Sequence, residues 1–258
     1  MASVHPTAIV AATAELAADV EVGAYSIIGP GVSLGPGCVV GPHVVLKGPS
    51  RFGAGNRFWQ FCSIGEDPQD KKYRGEASRL EVGDHNAFRE CSTVHRGTDT
   101  GIGYTRIGSH NLFMTYSHVA HDCIVKDHCV LASYAGLAGH VEVDDYVILG
   151  GYSGVHQFCK IGAHAFLANN ATATRDVPPF VMVAGAPAEP KGINLEGLKR
   201  RGFTSEQIQN IKGAYKLLYR SGLKLAEARA ELERLLPEQP ELRPFVEFLP
   251  RITRSLIR

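Results

Sequence analysis

The sequence predicts an all-β left-handed parallel β-helix followed by a small α-helical C-terminal domain. Three observations carry this expectation. An apolar residue recurs every six residues over most of the chain, glycine often follows it, and near residue 190 the rhythm gives way to a capped helical pattern. The frame runs from Val4 through Val10, Leu16, Val22, Ile28, Leu34, Val40, Leu46, Phe52 and Phe58 to Ile64. It resumes at Val82, Phe88 and Val94, slips once more, and continues from Ile107 in steps of six to Leu167. All 25 positions are apolar, and at 44% hydrophobic content chance gives roughly one in 10⁹. A hexapeptide period builds triangular coils of about 18 residues, three short strands and three corners each. Glycine after the repeat residue, as at Gly23, Gly29 and Gly35, suits a tight corner.

Within this frame the repeat residue and the one two before it point into the prism, because side chains alternate along a strand. Cys38, Cys62, Cys123, Cys129 and Cys159 all stand two before a repeat residue, which makes them small inward packing groups. Cys91 falls at a corner, where the frame gives it no role. His110, His128, Tyr146 and His164 are 18 apart and stack along one edge, as solvated corner residues rather than a metal ladder.

The domains expected are 1–190 for the β-helix and 191–258 for the helical part, with loop insertions near 66–81 and 95–106. The first insertion, EDPQDKKYRGEASR, is polar and charged, a candidate wall of a binding site. Beyond DVPPFVMVAGAPAEP, Thr204 and Gln207 form a capping box for a helix with Ile208, Ile211, Tyr215 and Leu218 on one face, stopped near Gly222. KLAEARAELERLL reads as a second helix and ELRPFVEFL as a third.

Formal net charge is +1, which points to neither nucleic acid nor membrane. The charge is unevenly spread: residues 191–258 hold 14 Lys and Arg against 8 Asp and Glu, and residues 1–190 hold 13 against 18. A basic C-terminal part on a mildly acidic body suits an anionic ligand or partner. MASVHPTAIV lacks a signal-peptide pattern, and no apolar run approaches the ~20 residues of a membrane span. Cytoplasmic residence with reduced thiols is expected.

The stretch SHVAHDCIV, residues 117–125, concentrates chemistry. Local spacing allows a metal site, a catalytic base with its helper, or plain surface and core residues. The frame turns Cys123 inward, and His118, His121 and Asp122 outward, so Cys123 and His121 cannot share one ion. A base reading gains from the adjacent carboxylate of Asp122. Gly139 and His140 lie one coil beyond His121, where a backbone N–H can face a developing oxyanion. His156 and Gln157 extend the polar cluster. Three histidines across an interface, His118, His121 and His140, keep a metal reading open, and a purely structural, buried or interfacial His121 is a further alternative.

The chain also resembles a known family, the UDP-N-acetylglucosamine acyltransferases. The likeness spans nearly the whole length and rests on HVAHDC, LAGHVEVDD, VHQFCKIGAH, IGEDPQDKKYRGE, RDVPPFVMVAGAPA, GINLEGLKRRGF and AYKLLYRSG. It implies a homotrimer with sites between subunits, transferring an (R)-3-hydroxyacyl group from acyl carrier protein to the glucosamine 3-OH of UDP-N-acetylglucosamine, the first step of lipid A biosynthesis. It implies no cofactor beyond the phosphopantetheine of the carrier, no metal, no nucleic acid and no stable membrane insertion. On matching positions, His121 is the general base, Asp122 orients it, and the Gly139 N–H meets the oxyanion. The likeness further implies that Asp70, Lys72, His118, His140, His156 and Gln157 contact substrate, and that Asn194, Glu196, Arg200 and Arg201 hold the nucleotide. Asn169 replaces a glycine of the family at the distal end of the acyl groove, which implies a shorter donor. A metal-dependent trimer of carbonic anhydrase type and a catalytically silent scaffold are the competing readings. The related N-acyltransferase would need a further N-terminal domain, for which repeats beginning at Val4 leave no room.

Overall fold

The computed structural model describes residues 1–258. The hexapeptides fold as expected into a left-handed parallel β-helix of stacked triangular coils. Its three faces are parallel sheets. Face A begins at Ser3–Val4, face B at Ile9–Val10 and face C at Glu15–Leu16, and each strand pairs with the one a full coil away. Undisturbed coils pair residues 18 apart, as Val119 with Leu137 and Val125 with Val143. Val119, Val125, Leu131, Leu137, Val143 and Leu149 are all 1% exposed or less, in one core of 43 buried residues. The five frame-matched cysteines are buried in it, and burial pushes the Cys123 and Cys129 thiols up to about 12.

The inward positions are not all apolar. Asn56, Asn86 and Asn111 stand two before Phe58, Phe88 and Phe113 and are at most 2% exposed. Asn86 Nδ2 donates to Asn56 Oδ1, Asn111 Nδ2 donates to Asn86 Oδ1, and the Cys129 N–H donates to Asn111 Oδ1. Each buried amide is thereby satisfied by the coil beside it, as burial requires. Above them Phe58, Phe88 and Phe113 stack at 5.1 and 4.8 Å.

The two insertions end on strands longer than most of the others. Arg79–Val82 and Tyr104–Ile107 pair over four residues, so the ends of both predicted insertions are strand and the excursions shorten to 67–78 and 96–103. The corner ladder stacks as expected, with His110, His128, Tyr146 and His164 rings 4.7–5.0 Å apart and φ near +60°. Its upper end is not solvated. His164 lies beneath Phe180, with Phe203 against its edge, and burial followed by the charge of Arg201 lowers its pKa to about 4.

Glu189–Ile193 folds back antiparallel on Val181–Ala184, and helices α1 (Leu195–Arg200), α2 (Ser205–Tyr219), α3 (Leu225–Leu235) and α4 (Arg243–Phe248) follow. The Thr204–Gln207 capping box opens α2, while α1 was hidden in the GINLEGLKRRGF motif. A second core of 13 buried residues, including Phe180, Leu198, Ile211, Leu232 and Phe245, joins the helices to the prism. The final segment is strapped across face C. Arg251 bridges Glu142 (2.7 Å) and Asp144 (3.0 Å), and the Thr253 and Arg254 N–H groups donate to Asp176. No helix is long and apolar enough to cross a membrane.

Candidate active site

His121 leaves the prism at the corner between faces B and C, and its Nδ1 lies 2.8 Å from Asp122 Oδ2. Asp122 is outside the prism but not in solvent, being only 3% exposed. The second insertion closes over it. The Thr98 N–H and Ile102 N–H donate to Oδ1 at 3.0 Å each, and the Thr98 hydroxyl donates to Oδ2 at 2.7 Å. Burial by itself would raise the Asp122 pKa, but the hydrogen bonds from His121 and Thr98 outweigh it and hold the carboxyl below its usual value. An ionised carboxylate only accepts, so Nδ1 of His121 donates to it, and in the neutral imidazole the lone pair falls on Nε2.

Gly139 sits on the next coil against that lone pair. A Cβ there would lie 2.7 Å from His121 Cε1 and 2.8 Å from Nε2, so only glycine leaves the ring its place. The Gly139 N–H donates to no protein acceptor, unlike the equivalent N–H groups of Ala54, Ser109 and Asp127, which aspartate side chains cap. A potential proton acceptor and an N–H without a protein acceptor thus lie on adjacent coils at one corner outside the prism.

The neighbours are tuned to stay uncharged. His118 on face B shares a 2.8 Å hydrogen bond with Thr93 Oγ1, and burial, then His95 and His121, lower its pKa to about 4. His140 meets His121 edge-on at 5.1 Å and stacks on Phe158 at 4.5 Å, and burial lowers its pKa against the opposing pull of Asp122. His156 and Gln157 are exposed one coil beyond Ala138 and Gly139. Asp70 and Lys72 sit on the 67–78 loop, where the Lys72 N–H donates to Asp70 and the charge of Asp70 reaches His140. From this corner the outward positions of face B run His118, Gly136, Gly154 and Thr172, and a side chain added at either glycine would meet nothing. They leave a shallow floor. Asn169 stands on the opposite corner of that face, exposed, its Oδ1 accepting from the Gly151 N–H at 3.0 Å.

The remaining predicted residues lie elsewhere. Asn194, Glu196, Arg200 and Arg201 line a cavity of about 460 Å³ over face A with Ile148, Phe166 and Met182. Asn194 caps α1 through Gly197 and donates to the His164 carbonyl. Arg201 donates to the Tyr146 carbonyl, lies over its ring, and keeps a buried nitrogen without a partner. One chain therefore brings the His121 group together on face B and the Arg201 group together on face A, and does not unite them.

Sequence reasoning missed Thr98, Ile102, His95 and Arg96. Arg96 pins the first insertion from the base of the second, through the Gly65 carbonyl, Asp67 and Tyr73. The available signal was slight: Gly97 and Gly101 bracket Thr98, and a Cβ on Gly101 would collide with the Asp122 carboxylate. For a cation, the donor atoms of His121, Asp122 and His140 lie within 4.8 Å of one another. Both Asp122 oxygens already accept two hydrogen bonds each, a set suited to orienting a histidine rather than to ligating a metal.

The comparisons agree with this geometry. Residues 176–257 match the family described as UDP N-acetylglucosamine O-acyltransferase, domain 2, and residues 2–48 match the bacterial transferase hexapeptide repeats. The acyl-[acyl-carrier-protein]–UDP-N-acetylglucosamine O-acyltransferase of Thiobacillus denitrificans is 52% identical over 258 residues, all of both chains. Among solved structures, the UDP-N-acetylglucosamine O-acyltransferase of Moraxella catarrhalis superposes with a TM-score of 0.97 at 42% identity, covering 99% of each chain. That of Francisella novicida gives 0.96 at 41%, covering 99% of this chain and 94% of its own. The period-six prism, the His121–Asp122 corner and this full-length identity agree: the chain belongs to the acyl-[acyl-carrier-protein]–UDP-N-acetylglucosamine O-acyltransferase family.

Proposed function

We propose that the chain transfers an (R)-3-hydroxyacyl group from acyl carrier protein to the 3-hydroxyl of UDP-N-acetylglucosamine, the first step of lipid A biosynthesis. The observation that carries the chemistry is the His121 ring, held by buried Asp122 with Nε2 close against Gly139, whose N–H has no protein acceptor. Nε2 takes the proton of the sugar 3-hydroxyl as its oxygen attacks the thioester carbonyl. The Gly139 N–H receives the oxyanion of the tetrahedral intermediate. Collapse breaks the C–S bond, and the protonated His121 returns its proton to the departing thiolate. Holding thioester and hydroxyl together beside the base supplies the rest of the acceleration, and the scheme uses no resident cofactor or metal.

His118 and His140 act as neutral hydrogen-bonding groups beside the sugar, with His156, Gln157, Asp70 and Lys72 around them. Asn194, Glu196, Arg200 and Arg201 hold the nucleotide, the arginines as planar partners for phosphate. Their separation from His121 within one chain supports a homotrimer in which face A of one prism closes on face B of the next. The basic surplus beyond residue 190 suits an acidic carrier protein, and the cytoplasm is the compartment that fits both substrates. Asn169 at the far corner of face B shortens the acyl floor and favours a shorter donor than a glycine would.

Mass spectrometry of the product from mixed hydroxyacyl carrier proteins and UDP-N-acetylglucosamine tests the reaction and the chain length together. An O-acylated sugar nucleotide from a shorter donor is expected, and preference for the longest donor refutes the role of Asn169. His121→Ala should lower turnover by about 10³-fold while the trimer stays folded. Residual turnover near wild type would remove His121 as the base.

A further inference from the structure

We propose that Thr98 is a positioning residue for the acyl transfer, keeping the Asp122 carboxylate on His121 and away from His140. The inference rests on the reading of His121 as the base.

Asp122 has two histidines within reach. Oδ2 lies 2.8 Å from His121 Nδ1 and 3.9 Å from His140 Nδ1, so a modest rotation of the carboxylate would exchange one partner for the other. Of the four hydrogen bonds that hold the carboxylate, one comes from His121 and three come from the 96–103 loop. Two backbone N–H groups, of Thr98 and Ile102, hold Oδ1, and the Thr98 hydroxyl holds the very oxygen that faces His121. Thr98 is 1% exposed, and Thr100 Oγ1 donates to its hydroxyl oxygen at 3.3 Å. The Thr98 hydroxyl proton is thereby directed at Asp122. Gly101 completes the clamp, since a Cβ there would press into the carboxylate. The groups facing His121 are Asp122 on its own corner, His140 on the next coil, His118 on face B and His95 at the base of the second loop. Of these only Asp122 is anionic, so how firmly it is aimed sets how strong a base His121 is.

Steady-state kinetics with hydroxyacyl carrier protein and UDP-N-acetylglucosamine across pH test this on three variants. Thr98→Val should lower kcat about tenfold, leave the KM for the sugar nucleotide within about twofold, and move the acid limb of the kcat profile to lower pH as His121 shares its counter-charge with His140. Thr98→Ser keeps the hydroxyl and should be restored to near wild type. Gly101→Ala, which disturbs the carboxylate without touching the hydroxyl, should resemble Thr98→Val. A serine variant whose kcat falls about tenfold below wild type, or a valine variant whose acid limb stays or rises, overturns the proposal, and the serine variant measured against wild type decides even if the valine protein does not fold. His121→Ala run alongside separates the two failures. If it retains turnover, the base reading falls; if it is inactive while Thr98→Val is unaltered, only the role of Thr98 falls.

Discussion

The 67–78 loop leaves most of its side chains in solvent, whereas the 96–103 loop turns Thr98 inward until it is 1% exposed. Both interrupt the same six-residue rhythm on neighbouring coils. The first makes its hydrogen bonds largely within itself, as between Lys72 and Asp70 or Arg74 and Glu76, so its outer residues stay free for a ligand. The second spends its polar groups on Asp122. A solenoid insertion can thus serve as a wall facing substrate or as a clamp behind a catalytic residue. Burial tells the two apart where sequence polarity does not.

The largest effect should come from the residue the clamp holds. Asp122→Asn is expected to lower kcat by about 10³-fold, as for other carboxylates that set a histidine tautomer, with the fold intact by circular dichroism. A loss under about tenfold would mean that the clamp guards something other than the base. Next comes Arg96, which joins the two loops. Arg96→Met orphans the Gly65 carbonyl and Asp67 and should cost about 2–3 kcal/mol in urea unfolding, together with a raised KM for the sugar nucleotide. If stability falls and KM does not, the loops are independent.

Acid should strain the buried side of this comparison more than the exposed one. His118 has its pKa lowered to about 4 by burial, while in the unfolded chain it titrates near its ordinary value. As pH falls below about 6.5 the unfolded chain binds the proton first. Stability is therefore full above that pH and drains away toward pH 4, by at most about 3 kcal/mol from this group. His118→Gln keeps a partner for Thr93 and should show a smaller drop in Tm between pH 7 and pH 5 than wild type. An equal drop would place the acid sensitivity elsewhere. The smallest effect belongs to the wall: Lys72→Ala should raise KM about threefold and leave kcat and Tm unchanged, as expected for an exposed charge. A change in Tm would show that the first loop is also a clamp.

The prism was legible because its physics is periodic. A core of triangular coils demands an apolar side chain every six residues, and Val119, Val125 and Leu131 meet that demand where the frame places them. Once the frame was known it separated Cys123 from His121. Two things were not legible. Thr98 meets Asp122 across 24 residues, along a loop that has left the frame, so no spacing rule connects them. His164 looks like His110 and His128 in sequence, and the packing of Phe180 over it and Phe203 against its edge makes its surroundings dry.

The asparagine ladder bears on how such a chain can change length. Regular coils are registered by their own length, since 18 residues return each strand to its neighbour. From Asn56 to Asn86 the spacing is 30 and from Asn86 to Asn111 it is 25, so there the count no longer registers anything. The side-chain amides do so instead, locking rung to rung from inside. Loop length is thereby uncoupled from stacking, and the coils that carry the loops beside the reaction centre are free to gain or lose residues while the column they sit on stays in step.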